Sequence, residues 1–244
     1  MYDNIANIYD LLIKDVDYVS YARFFHQIIR KYSKKPVDIV LDLGCGTGNL
    51  TTKMRDLGYS MIGADPSLEM LNIAMQKDSK NIQYINQAME DLDLFGTITA
   101  TISLLDCVNH VLDPKILLKG FKRVSLFSEP DSLFIFDVNS EYKFENVYGD
   151  KLYYDLSSDL AHVWENYYDR KSKICEMNIS YFIEVEDGIY KRLDTQNKER
   201  AYSDQEIKDL AKKAGFEYVD TLGDCLMEAP KEDATRIFYI FRKK

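Results

Sequence analysis

From Val37 to Val138 the chain alternates short β-branched runs with amphipathic stretches of helical period, and this alternation constrains the fold more than any other feature. Residues 38–43, 60–64, 82–85, 98–105 and 133–138 read as strands. The segments opening near Leu50 and Ser67, and one with Asp113 as N-cap and Pro114 in its first turn, read as helices. Strand–helix–strand repetition of this kind builds a parallel sheet. A capping box, Ser203 to Glu206, opens a further helix that ends at Gly215, and two last strands over 217–222 and 237–241 return to the sheet.

Two segments stand outside this rhythm. Residues 3–34 carry helical spacing in two pieces and end on Arg30, Lys31, Lys34 and Lys35 ahead of Pro36, a basic run suited to a helix C-terminus, so residues 1–36 are expected as a helical cap. Past Asn139 strict alternation takes over. Cys175, Met177, Ile179, Tyr181, Ile183 and Val185 share one face of a strand, Glu186-Asp187-Gly188 turns it, and residues 163–168 and 189–193 complete an antiparallel meander. Residues 140–200 are thus expected as a β insertion in a domain made of 1–139 and 201–244. The whole reads as an α/β, doubly wound, Rossmann-like fold: a mostly parallel seven-stranded sheet with an N-terminal helical cap and an antiparallel β insertion. With 244 residues, 46% of them hydrophobic, and only 5 Pro and 11 Gly, one elaborated domain is favoured over two linked ones.

Charge and composition remove several function classes. Lys and Arg number 31 against 40 Asp and Glu, a formal net charge of −9, and such an acid excess argues against nucleic acid as partner. The cluster Lys119, Lys122, Arg123 leaves a local basic patch open, against the plainer reading of a solvated helix face. No apolar run approaches the ~20 residues that span a bilayer. The acid- and tyrosine-rich N-terminus lacks the pattern of an export signal. Four scattered cysteines, Cys45, Cys107, Cys175 and Cys225, suit a reducing cytoplasmic setting, and His26, His110 and His162 are not paired at zinc-ligand spacing, so no metal is expected.

The chemistry concentrates where the first strand meets its helix, at Asp42-Leu43-Gly44-Cys45-Gly46-Thr47-Gly48. Glycines there let a ligand approach the backbone, but position 49, where a dinucleotide fingerprint places a third glycine, is Asn49. The acid at Asp42 would repel phosphate and attract an ammonium and a sulfonium, the charges of S-adenosylmethionine. Asp65 ends the second strand where a carboxylate can accept both ribose hydroxyls; alternatively Asp65-Pro66-Ser67 is a turn with Ser67 as N-cap. Met70 either lies beside the adenine or is plain core.

The runs VLDLGCGTGNLT, GADPSLEML, INQAMEDLDL, ISLLDCVNHVLD and FDVNSEYKF resemble those of the class I S-adenosylmethionine-dependent methyltransferases, and the resemblance covers most of the chain. IANIYDLLIKDVDY and KERAYSDQEI look similar to small bacterial methyltransferases related to aminosugar N,N-dimethyltransferases and glycine N-methyltransferase. The resemblance implies that Asp42 with Gly44, Gly46 and Gly48 hold the methionine end of the cofactor and Asp65 the ribose, and Cys45 and Ser67 are expected among the cofactor-binding residues. It further implies that Met89 and Glu90 lie against adenine, that Leu105 and Asp106 lie beneath the sulfonium, and that Tyr9 belongs to a cap closing over the site. Two departures stand out. Ala88 replaces an acid that receives the adenine amino group in many relatives, leaving that contact to Glu90, Asp91 or water, and Asn197 stands where close relatives often show His.

Methyl transfer from a sulfonium needs orientation and no protein nucleophile, while an acceptor that carries a proton also needs a base. Tyr9, Asp106 and His110 are the candidates, each with a structural alternative: cap packing, loop orientation and a capped loop histidine. Nine of the 18 tyrosines fall between Glu141 and Tyr202 with the only tryptophan, Trp164. Trp164, Tyr167 and Tyr168 either line an acceptor pocket or stabilise the sheet, and the insertion is either the acceptor side of the cleft or an interface of a homodimer, the chain otherwise being a monomer. The expected activity is methylation of a small-molecule acceptor such as an amine or aminosugar. A non-catalytic cofactor-binding module, an RNA methyltransferase and a nicotinamide-dependent oxidoreductase are the competitors, the last disfavoured by Asp42 and Asn49.

Overall fold

The computed structural model describes residues 5–77, 80–156 and 160–244. It opens with α1 (Ala6–Leu12) and α2 (Tyr18–Tyr32). One face of α2 buries Ala22, Phe24, Phe25, Ile28 and Ile29; the Asp17 carboxylate accepts the Ser20 amide at 3.0 Å to cap its start, and Arg30 and Lys31 meet the negative end of its dipole. The expected two-piece cap is present, though residues 1–4 lie outside the described ones.

The alternating segment folds as β1 (Ile39–Leu43), α3 (Asn49–Asp56), β2 (Ser60–Asp65), α4 (Leu68–Lys77), β3 (Ile82–Asn86), β4 (Ile98–Ser103), α5 (Pro114–Phe127) and β5 (Ser128–Asn139). Asp113 caps α5 through the Lys115 amide at 2.8 Å. Past β5 come a π-helical turn (Lys143–Tyr148) and the strands β6 (Leu152–Asp155), β7 (Leu160–Asp169), β8 (Ile174–Glu186) and β9 (Ile189–Arg200). Then α6 (Asp204–Lys213), opened by the expected Ser203–Glu206 capping box, leads to β10 (Phe216–Gly223) and β11 (Arg236–Lys243). The main sheet has seven strands in the order β10-β11-β5-β4-β1-β2-β3; β1 to β5 run parallel, and β11 is antiparallel to both neighbours. The chain turns from one half of the sheet to the other between β1 and β4, so the crevice at their C-terminal ends is where an open α/β sheet holds a ligand.

Aromatic side chains fill both faces. Phe121, Phe134, Phe136, Phe216 and Phe241 pack under α5 and α6, with the Phe121 and Phe134 rings edge-on at 5.2 Å. Phe24, Phe25, Ile28, Met54 and Phe238 pack under α2 and α3. Each such side chain contributes about 1.5–3 kcal/mol by leaving water.

The insertion is a second, four-stranded antiparallel sheet in the order β6-β7-β8-β9, one strand more than the alternation predicts. Strand β8 buries Cys175, Met177, Ile179 and Tyr181 as expected, whereas Val185 is exposed because it has run past the packed part of the sheet toward the Gly188 turn. β9 continues beyond the expected Leu193 to Arg200, its polar residues held by cross-strand partners such as Lys198 with Glu176 at 2.8 Å. The inner face packs on Phe144 of the π-helical turn and on Ile8, Tyr9 and Leu12 of α1. Helix α1 is therefore held between the insertion and the glycine loop.

Candidate functional site

The loop Gly44–Gly48 leaves the end of β1 and is tied to the end of β2: the Gly44 and Cys45 amides donate to the Ala64 carbonyl at 2.8 and 3.1 Å. At Gly44 φ is +78°, and a Cβ there would lie 2.4 Å from Cys107 Sγ. At Gly46 φ is +52°, another left-handed position that glycine occupies without penalty. Asp65 accepts the Gly46 amide at 2.9 Å through one carboxylate oxygen and the Ser67 amide at 2.9 Å through the other, and Ser67 Oγ caps the Met70 amide at 3.2 Å. The turn and ligand-binding readings of Asp65 thus coexist: it caps the turn and also faces the cavity.

Asp42 is buried, with Thr51 Oγ1 donating to it at 2.6 Å. Burial pushes its carboxyl up to about 7, with the neighbouring Asp65 adding to the shift and Thr51 opposing it. A buried acid held by one hydroxyl is poised to ionise when a cation arrives.

These groups line a cavity of about 600 Å³, counting its open mouth. Nine predicted residues stand on its wall: Tyr9, Asp42, Gly44, Cys45, Gly46, Asp65, Met70, Leu105 and His110. Five do not. Gly48 backs onto Tyr84 and Ala74, and Ser67 is the cap of α4. Met89 is turned into the core, where a Cβ on Gly120 would lie 2.6 Å from its Cγ, so it packs under α5 and not on the cavity. Glu90 sits in the adjoining turn off the wall, and Asp91 is paired with Lys119 at 2.9 Å on the surface. Asp106 lies behind His110. Lys119, together with Arg123 paired to Asp93 at 3.1 Å, belongs to a solvated helix face with acid partners.

Cap and loop are joined by contacts that no local spacing announces. Tyr9 Cε1 comes within 3.9 Å of where a Gly46 Cβ would sit, and burial drives its phenol well above the usual range, so it is neutral in the empty protein. Asp10 accepts from Thr47 Oγ1 at 2.6 Å and Asn49 Nδ2 at 2.9 Å and pairs with Lys77. Burial opposes its ionisation, but those three partners outweigh it and hold the carboxyl below the usual range. Asn49 is thus a latch residue.

At the other end of the cleft, Leu105 and Asp106 have φ of +63° and +55°, rare for residues with side chains and costly by about 1–3 kcal/mol each. This backbone aims Asp106 at Arg236 Nη2 (3.0 Å) and places it 3.7 Å from His110 Nε2, while its amide donates to Asp137 at 3.1 Å. Burial works against its ionisation, yet Arg236, His110 and Lys143 hold the carboxyl below its ordinary value, so Asp106 is a poor base on its own. Glu199, which the sequence did not single out, is 4% exposed on β9 and hydrogen-bonded by Asn139 Nδ2 at 2.7 Å. Asp106, His110 and Glu199 have ligand-type atoms within 4.8 Å of one another. Arg236 and Lys143 already supply the positive charge that a metal ion would bring there.

The aromatic candidates separate. Trp164 rests on Tyr148 and Tyr153 at 5.2 and 5.9 Å, and its buried Nε1 has no acceptor among the described residues. Tyr168 stacks on Phe144 at 5.9 Å as core. Tyr167 is 49% exposed on the opposite face. Alternation along β7 demands this, since neighbours in a strand point to opposite faces and Tyr167 cannot share a pocket with Tyr168.

Residues 17–221 match the sequence model of a family described as a methyltransferase domain. A Geobacillus protein named as a methyltransferase is 27% identical over 245 residues, covering 99% of each chain. Among solved structures, an S-adenosylmethionine-dependent methyltransferase from Clostridium acetobutylicum is 30% identical, covers 99% of this chain and 98% of its own, and superposes with a TM-score of 0.89. An amino pentose methyltransferase from Micromonospora echinaspora, solved with S-adenosylmethionine bound, shares the fold at a TM-score of 0.78 and 15% identity, over 95% and 93% of the two chains.

Proposed function

Since this chain belongs to the methyltransferase-domain family and is a class I S-adenosylmethionine-dependent methyltransferase, we propose that its acceptor is a small molecule carrying an amine, as in an aminosugar. The observation that carries this reading is the roof over the cleft. Helix α1 lies across the glycine loop at Tyr9 and against the insertion at Ile8, Tyr9 and Leu12, and such a cover favours a compact acceptor over a polymer. The amino pentose methyltransferase is a relative in fold with an acceptor of this kind.

The cavity fits the cofactor chemically. Gly44 and Gly46 leave backbone open to a ligand, Asp42 waits for an ammonium, and Asp65 ends β2 where a ribose would be held. Bound S-adenosylmethionine supplies a methyl group already activated on a sulfonium. What falls to the protein is alignment of acceptor with methyl group, worth up to about 7–11 kcal/mol, and exclusion of water. Tyr9 and the Asp10 latch close the cofactor side; Trp164, which packs in one apolar cluster with Tyr9 on the inner face of the insertion, is the ring assigned in this reading to the acceptor side.

Release of S-adenosylhomocysteine, followed over a panel of aminosugars, simple amines, amino acids, alcohols and tRNA, tests the reading. Turnover with aminosugars or amines is expected. Turnover with tRNA alone would overturn it, and cofactor binding without turnover of any acceptor would point to a binding module.

A further inference from the structure

The polar cluster behind His110 is assembled from both parts of the fold. Asp106 follows β4, Asn139 ends β5 and Arg236 opens β11, while Lys143, Tyr148 and Glu199 come from the insertion. It adjoins the cofactor cavity, because His110 is on the cavity wall and its Nε2 is 3.7 Å from Asp106. We propose that Glu199 and Asp106 share one proton and together form the proton-accepting site for the methyl acceptor, reached through His110; this deepens the methyltransferase reading and rests on it.

The charges decide the resting state. Asp137 and Asp106 are both engaged by Arg236, and Lys143 donates to Asn139 Oδ1 at 2.8 Å beside them. Two carboxylates then face two permanent cations, with the His110 ring 3.7 Å from Asp106 and the Cys175 thiol, pushed up to about 12 by burial and so uncharged, also facing the cluster. Ionising Glu199 as well would leave one negative charge uncompensated in a place where Glu199 is 4% exposed, a costly arrangement. Tyr148, which faces the same group, is driven upward by burial and by Glu199 and Asp106, so it adds no charge. Burial and the adjacent Asp106 raise the Glu199 carboxyl well above its usual range, against the opposing Asn139 hydrogen bond and Lys143.

A cation brought in by a ligand changes this balance. An acceptor entering as an ammonium makes three positive charges, so Glu199 can release its proton to solvent. One N–H proton of the acceptor then passes back to the carboxyl pair, and the electron pair left on nitrogen is free to form the bond to the methyl carbon. The sulfur keeps the electrons of the bond that breaks, and the positive charge leaves on the methylated nitrogen. The left-handed backbone of Leu105 and Asp106 is the strain that holds this geometry.

Two ligands of the cofactor site test the proposal without knowledge of the acceptor. S-adenosylhomocysteine has a neutral sulfur, whereas sinefungin has an amine-bearing carbon in its place and so presents an ammonium toward the acceptor side. Titration calorimetry at pH 7.5, in two buffers of different ionisation enthalpy, counts the protons each releases. Sinefungin should release about one proton more than S-adenosylhomocysteine from the unmodified protein, and Glu199→Gln, which keeps the volume and the Asn139 contact, should abolish the difference. Asp42 does not confuse the count, because both ligands carry the same amino-acid ammonium. Equal release by the two ligands from the unmodified protein would overturn the proposal whatever the variant does, and so would an excess that survives in a Glu199→Gln protein still binding S-adenosylhomocysteine. Failure of the unmodified protein to bind either ligand would instead remove the cofactor-site reading, and this inference with it.

Discussion

Asp42 makes the cofactor site sensitive to pH. Its carboxyl is pushed up to about 7 by burial, so the empty protein holds it partly protonated at neutral pH, and a bound ammonium would favour the ionised form. S-adenosylhomocysteine binding should therefore release protons at pH 6 and tighten as pH rises through 7, and Asp42→Asn should flatten that profile in calorimetry. The stability consequence has the opposite direction. A carboxyl raised on folding stabilises fully below its unfolded value near 4 and loses that contribution as pH rises through about 7, so empty Asp42→Asn should gain on the wild type over that range, by at most on the order of 4 kcal/mol. Thermal melts against pH check this; parallel curves would place Asp42 elsewhere than in a dry pocket. Gly46→Val adds about 1–2 kcal/mol of left-handed backbone strain and fills the cavity floor, so it should weaken S-adenosylhomocysteine binding more than tenfold while leaving a cooperative melt.

Among the elements, α1 carries the clearest dynamic consequence. It is only seven residues long, too short to persist alone in water, and owes its place to the insertion and to the Asp10 contacts with Thr47, Asn49 and Lys77. Breaking them with Asp10→Ala should raise the dissociation rate of S-adenosylhomocysteine several-fold in stopped-flow displacement, with little change in melting temperature of the empty protein. The insertion makes a second prediction. Trp164→Ala should reduce turnover of the eventual acceptor far more than cofactor affinity, while Tyr167→Ala, on the outer face, should affect neither. Equal effects of the two changes would remove the inner face from the acceptor site.

Taken as a whole molecule, the fold was legible wherever its signals are local. Apolar periodicity marked the sheet, the Gly44–Gly48 loop marked the end of β1, and Asp113-Pro114 and Ser203–Glu206 marked helix starts, since each acts over a few residues. What escaped is made by contacts between distant segments: Asp10 with Thr47, Glu199 beside Asp106, and Met89 under Gly120 instead of against a ligand. The π-helical turn and β6 have no distinctive period, and the polar residues of β9 look like loop until β8 is beside them. Tyr167 is different, because the rule of two alone would have placed it opposite Tyr168. One further link between distant segments is Asn109, fully buried beside His110. Its Oδ1 accepts the Asn139 amide at 2.9 Å, its Nδ2 donates to the Arg200 carbonyl at 2.9 Å, and its own carbonyl accepts the Arg200 amide at 2.8 Å. Both ends of the insertion are thus fastened to one side chain, and Asn109→Ala should cost on the order of 1–3 kcal/mol for each buried backbone group left unpaired, seen as a lower melting temperature. The same fastening makes residues 140–200 a cassette. A different sheet can be exchanged between two points that one asparagine holds in register, so new acceptor preferences can evolve, or be engineered, on an unchanged cofactor platform.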